Sequence, residues 1–146
     1  IGELHDPETH LIPLAMQAVT GDAPPLTLFG DDYPTADGTC IRDYIHVSDL
    51  ADAHVRALDW LDDHSGAHAM NLGTGRGQSV RQVIDAVERA AGRPVPHSIG
   101  PRRAGDPAEL VSDPRKAMDA LGWQPRSSDL DTIVRTAWAW HQKGVQ

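Results

Sequence analysis

The chain has 146 residues, of which 40% are hydrophobic and 23% are charged, a composition that fits one soluble globular domain with its own core. Its formal net charge of −8 argues against nucleic acid as a partner, and its apolar runs are too short for a membrane span. The single cysteine, Cys40, excludes an internal disulfide bond and indicates a reducing compartment, for which we expect the cytoplasm.

The first elements are predicted from proline and glycine positions. The sequence opens on Ile1-Gly2-Glu3 without an initiating methionine, which is typical of a position inside a longer protein. We predict a helix over residues 12–19, because Pro13 would lie in its first turn, where proline is favoured, and Gly21 would end it. Leu26-Thr27-Leu28-Phe29 predicts a short strand that ends at Gly30.

Residues 40–47 alternate as a strand does, and one face would carry three functional groups. These groups are the side chains of Arg42, Tyr44 and His46. A guanidinium presents a fork of donors that matches two phosphate oxygens, so this face suits an anionic ligand. The alternative is a structural strand in which Arg42 pairs with Asp43 or another carboxylate, and the spacing leaves both interpretations open.

The remaining elements follow from caps and hydrophobic stripes. They are a helix capped by Ser48 that reaches Leu61, a strand over 67–72, a helix that starts at Ser79 and ends at Gly92, a weak strand over 95–99, a helix capped by Asp113-Pro114 that ends at Gly122, and a last helix capped by Asp129. Strands that alternate with helices favour an α/β fold with some parallel pairing. About four short strands make a thin sheet, which indicates that part of the fold lies elsewhere.

Two further segments could carry chemistry. Gly73–Gly77 lies between a predicted strand and a helix, but Gln78 breaks the G-x-G-x-x-G pattern, which favours a tight turn over a dinucleotide loop. Arg102-Arg103 and Asp106 could bind a phosphate and a sugar hydroxyl, or could form a solvated turn with a local ion pair. The eight histidines show no ligand spacing, so no metal site is expected.

Taken in order, the motifs cover essentially the whole chain. They are Gly2-Glu3, His10-Leu11-Ile12-Pro13, Leu28–Thr35, Asp37-Gly38-Thr39, Arg42–Val47, Asp49–His54, Asn71-Leu72-Gly73, Gly75, Gly77, Pro101-Arg102-Arg103, Gly105-Asp106, Leu121-Gly122-Trp123, Trp138 and Trp140. With these motifs the chain resembles the carboxyl-terminal part of UDP-glucose 4-epimerases, which are extended short-chain dehydrogenases/reductases. The resemblance implies one partial domain over residues 1–146, the UDP-sugar-binding lobe of an extended Rossmann-type epimerase, with a small mixed sheet and flanking helices.

The resemblance also implies roles for single residues. His10 and Leu11 would lie by the diphosphate and the sugar, and Arg42 and Arg103 would hold the diphosphate. The uracil would be bordered by Thr27, Leu28 and Phe29. Tyr44 and Val80 would line the nucleotide site, and Asp106 would meet the ribose hydroxyls. Leu110 would fall where side-chain size controls entry of N-acetylhexosamines. Since leucine is neither bulky nor small, acceptance of N-acetyl sugars is left open.

In that family, NAD takes a hydride from C4 of UDP-glucose or UDP-galactose and returns it to the other face of the 4-keto sugar, and a tyrosinate serves as base. The NAD glycine loop and the catalytic Tyr-x-x-x-Lys are absent from these 146 residues, so we expect the chain alone to be inactive. The resemblance also implies that the complete enzyme is a homodimer. The alternatives are an epimerase of UDP-pentoses or UDP-N-acetylhexosamines, and a non-catalytic nucleotide-sugar-binding module.

Overall fold

The computed structural model describes residues 5–144, so the Gly2-Glu3 motif lies outside the described residues. The helices in this range are α1 (Leu11–Thr20), α2 (Val47–Leu61), α3 (Val80–Ala91), α4 (Arg115–Leu121) and α5 (Leu130–His141). The strands are β1 (Leu26–Phe29), β2 (Ile41–Arg42), β3 (Gln78–Ser79), β4 (His97–Gly100) and β5 (Glu109–Leu110). The predicted α/β class is therefore confirmed. In residues 5–144, no helix combines the length and the apolarity needed to cross a bilayer.

The strands form two small sheets. β1 and β4 pair in parallel, with Leu26 opposite His97 and Phe29 opposite Gly100. The second sheet has the order β3-β2-β5, in which β2 is antiparallel to β3 and parallel to β5. The expected mixed pairing is thus present, but in a three-stranded sheet beside a separate parallel pair.

Helix ends follow the predicted cap chemistry at most positions. Gly21, Gly92 and Gly122 end α1, α3 and α4 in the left-handed conformation that glycine adopts without strain. Ser79 and Gln82 form a reciprocal capping box at the start of α3, and Asp129 accepts a hydrogen bond from the Thr132 N–H at the start of α5. At α4 the cap prediction is wrong in part, because the N-cap residue is Pro114 and makes no side-chain cap bond.

The predicted strand over 40–47 is too long. Only Ile41 and Arg42 pair with neighbours, and α2 already begins at Val47. The predicted cap Ser48 is also wrong, because His46 is the N-cap residue and its Nδ1 accepts from the Ser48 N–H at 3.0 Å. β3 and β5 were not predicted, since each has two residues and gains its pairing only from β2.

The predicted strand over 67–72 is not a strand in the structure. Its alternation is partly retained, because Met70 and Leu72 pack against buried side chains, those of Ala53, Ala117 and Trp123, while Ala69 and Asn71 are exposed. A strand nevertheless needs a neighbour to satisfy its backbone groups, and within residues 5–144 no strand pairs with this segment.

Two hydrophobic clusters hold the elements together. The larger one packs α1, α3 and α5 against the β1–β4 pair, with Met16, Leu28 and Val87 almost completely buried. The smaller one joins α2 and α4 around Trp123, which is fully buried and donates its indole N–H to the Asp49 carbonyl at 2.9 Å. Burial of aromatic and aliphatic side chains supplies the main favourable free energy of folding.

Candidate functional site

A cavity of about 140 Å³ lies where the ends of β1 and β2 meet the starts of α1 and α3 and the loop that follows β4. Its lining residues are Leu11, Thr27, Leu28, Phe29, Gly30, Cys40, Arg42, Tyr44, Val80, Arg103 and Asp106. The structure thus brings together every residue of the predicted site except His10 and Leu110. Residues this far apart in the sequence share one cavity only because the fold joins them.

The two exceptions lie next to lining residues. His10 is the N-cap residue of α1, directly before Leu11, and its Nδ1 is 2.9 Å from a carboxylate oxygen of Glu8. Leu110 lies opposite Arg42 in the β2–β5 ladder and is 60% exposed. Their predicted contacts with the diphosphate and the sugar stay predictions.

Arg42 is held by hydrogen bonds that leave part of its donor fork available. One terminal nitrogen donates to the Ile41 carbonyl at 2.6 Å and the Pro107 carbonyl at 3.0 Å, and the other donates to Asp106 Oδ1 at 2.5 Å. Because a guanidinium carries five N–H donors, these bonds use three of them within residues 5–144. The carboxylate partner of Arg42 is therefore Asp106 rather than Asp43, and two donors remain for a ligand.

Asp106 also connects Arg42 to Arg103. Its Oδ2 lies 3.6 Å from the Arg103 Nε, so each carboxylate oxygen faces one guanidinium. Arg103 is 63% exposed and stacks over Phe29, with 4.6 Å between the guanidinium carbon and the ring centroid. The group carries two positive charges and one negative charge, so it is locally cationic on a chain with a net charge of −8. Such a group can bind an anion of one or two charges.

An apolar wall faces these charges. Leu28 is buried at its base, and Leu11, Phe29 and Val80 contribute further carbon surface. Small-molecule sites commonly combine such a wall with a few polar groups that fix the ligand's orientation. A volume of about 140 Å³ is below the several hundred cubic ångströms typical of a complete ligand pocket, so the cavity suits one part of a ligand, such as a planar ring.

The Tyr44 side chain lines the same cavity, and its phenol is uncharged at pH 7. Burial raises the pKa of Tyr44 to about 12, the nearby Cys40 adds to the increase, and Arg42 opposes it. The phenol therefore keeps its proton and can donate or accept a hydrogen bond, but it is unsuited to act as a base. This property fits a binding role.

Asp43 ties the glycine-rich loop to β2. Its carboxylate accepts from the backbone N–H groups of Thr74, Gly75 and Ser112 and from the hydroxyls of Thr74 and Ser112. Burial would raise the pKa of Asp43, but these hydrogen bonds outweigh it and hold the pKa below its ordinary value of 3.8. The N–H groups of Thr74 and Gly75 are thus occupied by a carboxylate of the chain, in agreement with a structural turn.

Sequence reasoning missed Gly30 and Cys40 as lining residues. Cys40 has the same parity as Arg42 and Tyr44, so the alternation over residues 40–47 contained the signal that could have found it. Gly30 directly follows the predicted Phe29. His46 carries the imidazole that was grouped with Arg42 and Tyr44, but its Nε2 lies 2.9 Å from the Thr136 hydroxyl and it caps α2, so its role here is structural.

Comparison with known proteins shows the family of the chain. The model of the NAD dependent epimerase/dehydratase family matches residues 1–73, which is half of the chain. The chain belongs to this family. A UDP-glucose 4-epimerase from Lacticaseibacillus casei is 48% identical to it over 142 residues, which are 97% of this chain and 43% of the relative. The predicted resemblance to UDP-glucose 4-epimerases is confirmed.

Solved structures of this epimerase/dehydratase family show the same fold. The UDP-glucose 4-epimerase from Brucella ovis in complex with NAD superimposes with a TM-score of 0.90 at 55% identity, over 96% of this chain and 43% of that one. The UDP-glucose 4-epimerase from Stenotrophomonas maltophila with bound NAD and formylated UDP-arabinopyranose gives 0.91 at 46% identity, over 98% and 43%. The chain therefore spans less than half of the length of these relatives, and the expected association of the family with NAD is confirmed for them.

Proposed function

We propose that this chain is the UDP-sugar-binding part of a UDP-glucose 4-epimerase that interconverts UDP-glucose and UDP-galactose. The observation that carries the proposal is the convergence of Arg42, Arg103, Asp106 and an apolar wall on one cavity. These groups provide what a nucleoside diphosphate requires, namely cations for its phosphates, an acceptor for its ribose hydroxyls and a flat apolar surface for its base.

The contacts within the site indicate how a ligand would enter it. Arg42 and Arg103 both face Asp106, so the arginines are already oriented before any ligand binds. A diphosphate would take the two remaining donors of Arg42 and the exposed fork of Arg103, and ribose hydroxyls would donate to Asp106. Bidentate contacts fix the diphosphate firmly while the hexose stays free to turn, which C4 inversion requires.

The glycine-rich loop over residues 73–77 is not free to hold the phosphates of a dinucleotide. The backbone N–H groups of Thr74 and Gly75, which a phosphate would need, already donate to Asp43. When bound to the complete protein, NAD supplies the hydride acceptor for C4 oxidation. We therefore assign nucleotide-sugar binding to this chain, and NAD binding and proton transfer to the remainder of the protein.

We further propose that residues 1–146 form one lobe and that the remainder packs on the outer face of α2. This helix buries only Asp49 and Ala53, whereas Val47 is 72% exposed and Leu58 is 68% exposed. The neighbouring segment 67–72 has a strand pattern without a partner in residues 5–144. Large apolar side chains on one exposed helix face are typical of an interface.

The function can be tested in the full-length protein with Arg42→Ala. Loss of charge-assisted bonds worth about 1.5–3 kcal/mol should weaken UDP binding about 100-fold, measured by calorimetry, and abolish most UDP-galactose turnover. Bound NAD should be unchanged. Arg89→Ala is the matched control, because Arg89 also pairs with a carboxylate, Asp131 at 2.5 Å, but away from the cavity.

Unchanged UDP affinity in Arg42→Ala would refute the assignment. UDP binding without any turnover by the full-length protein would favour a non-catalytic binding module instead.

A panel of UDP-sugars separates the remaining alternatives. A UDP-pentose is a reasonable second substrate, because the relative from Stenotrophomonas maltophila was solved with formylated UDP-arabinopyranose. The exposed Leu110 leaves N-acetylhexosamines as a further class to test. We also propose that the complete protein acts in galactose metabolism, lies in the cytoplasm and forms a homodimer.

A further inference from the structure

Arg102 lies next to Arg103 in the sequence but makes its contacts outside the cavity. Its Nε donates to Asp32 Oδ1 at 2.6 Å, and a terminal nitrogen donates to the Asp32 carbonyl oxygen. Its guanidinium carbon lies 4.3 Å from the centroid of the Tyr33 ring, and Tyr33 is only 5% exposed. Arg102 is therefore fixed by an ion pair, a backbone contact and an aromatic face at once.

These contacts join two loops that leave neighbouring strands. β1 and β4 pair in parallel, and the Gly30 N–H extends their pairing by donating to the Gly100 carbonyl at 3.0 Å. A Cβ at Gly30 would lie 2.6 Å from the Arg102 Cγ, so the arginine stem runs directly against the Gly30 backbone. Gly30 itself lines the cavity. Arg102 thus connects the loop after β1 to the loop that carries Arg103 and Asp106.

The loop after β1 is in turn a firm anchor. The Tyr33 N–H donates to the Gly38 carbonyl at 2.8 Å, and the Thr35 hydroxyl donates to the Thr39 carbonyl at 2.7 Å, just before Cys40 at the cavity. The Arg102 hydrogen bond holds the pKa of Asp32 below its ordinary value of 3.8, so the Asp32 carboxylate stays charged at neutral pH. The ion pair between Arg102 and Asp32 is therefore present at neutral pH.

We propose that Arg102 is a positioning residue for the nucleotide site: by its contacts with Asp32 and Tyr33 it sets the placement of Arg103. The inference rests on the proposed function, since it concerns the same diphosphate contact. An isolated surface ion pair would contribute little. Here the anchored residue directly precedes Arg103, which stacks on Phe29 at the cavity, so a shift of one moves the other.

The test is a double-mutant cycle in the full-length protein, with UDP binding measured by calorimetry. Arg102→Ala should weaken UDP binding about tenfold, although Arg102 does not line the cavity. In the Arg103→Ala background the same change should have almost no further effect, because the residue it positions is gone. Arg102→Lys should restore only part of the affinity, since lysine cannot both stack on Tyr33 and donate in a fork to Asp32.

Two more variants keep the test decisive. Tyr33→Phe should bind UDP as the wild type does, because the ring is kept and the hydroxyl has no partner within residues 5–144. If Arg102→Ala does not fold, Asp32→Ala removes the ion pair alone and should show a loss of about threefold that also vanishes in Arg103→Ala. Arg89→Ala is the control for removing a paired surface arginine.

Three results would overturn the inference. The first is wild-type UDP affinity in Arg102→Ala while Arg103→Ala is impaired, which leaves the proposed function standing. The second is an effect of Arg102→Ala that is equally large in the Arg103→Ala background, which would make Arg102 an independent contributor. The third is unchanged affinity in both single variants, which would remove the proposed function together with the inference.

Discussion

Replacing Asp43 by asparagine should destabilise the protein, because this carboxylate holds three segments together. Its Oδ2 accepts from the backbone N–H groups of Gly75 at 3.0 Å and Ser112 at 3.3 Å, and its Oδ1 accepts from the Thr74 hydroxyl at 2.5 Å. Asparagine keeps one oxygen but turns an amide NH2 group toward donors on the other side. Two of these donors then lose their charged acceptor: the Thr74 N–H and hydroxyl if the NH2 group takes the Oδ1 place, or the Gly75 and Ser112 N–H groups if it takes the Oδ2 place.

The magnitude follows from these contacts. A hydrogen bond to a charged group contributes about 1.5 kcal/mol or more, so loss of two should cost about 3 kcal/mol in the free energy of unfolding. For a chain of this length that corresponds to a melting temperature about 10 °C lower. Thermal unfolding followed by circular dichroism measures the change, and Asp63→Asn, on the exposed turn after α2, is the control.

The pH dependence gives an independent check of the same carboxylate. Because the folded-state pKa of Asp43 lies below its ordinary value of 3.8, its contribution to stability is complete above pH 3.8 and is lost as the pH falls through the lower folded value. The stability difference between the wild type and Asp43→Asn should therefore be constant near neutral pH and shrink in acid. A variant that melts within about 2 °C of the wild type at pH 7 would refute this account of the network.

Two further predictions concern one closely packed glycine and one helix cap. Gly77→Ala should cost a few kcal/mol and disturb the β2–β3 pairing, because the new Cβ would overlap the side chains of Ile41 and Val111. Ser65→Ala, at an exposed loop position, is the control, and equal urea midpoints of the two variants would contradict the packing argument. Ser79→Ala should lower the free energy of unfolding by about 1–2 kcal/mol, because the hydroxyl accepts the Gln82 N–H at the start of α3 and also donates to Asp37. An unchanged urea midpoint would show that the capping box contributes nothing to stability.

The helices were predictable because their signals are local. A proline in the first turn, a serine or aspartate cap and a terminal glycine each act within a few residues. Helices α1 and α3 lie within two residues of their predicted positions at both ends, and α5 does so at its start. Strand β1 was predicted at its observed bounds for the same reason, since Gly30 ends it.

The bounds and pairing of the short strands were not predictable because their signals are distant. β2, β3 and β5 each contain two residues, and whether they pair depends on segments about 30 to 70 positions away. The segment 67–72 shows the converse case. Its alternation is typical of a strand, yet a strand forms only where a neighbour exists, and none lies in residues 5–144.

The candidate site likewise has features that the sequence indicates and contacts that it does not. The donor fork of Arg42 and the apolar wall were visible as residue types, and the resemblance to the epimerases assigned them to one site. The contact between Arg42 and Asp106 spans 64 positions, and no local pattern indicates it. The anchoring of Arg102 by Asp32 and Tyr33 is equally remote in sequence, which is why the sequence left Arg102 open between a phosphate contact and a solvated turn.

The most direct test of the central claim is a structure of the full-length protein with UDP bound. We predict that the diphosphate lies within hydrogen-bonding distance of Arg42 and Arg103, that the ribose hydroxyls face Asp106, and that the uracil packs beside Leu28 and Phe29. UDP bound elsewhere, with the ion pairs between Asp106 and the two arginines undisturbed and no contact to either guanidinium, would contradict the account.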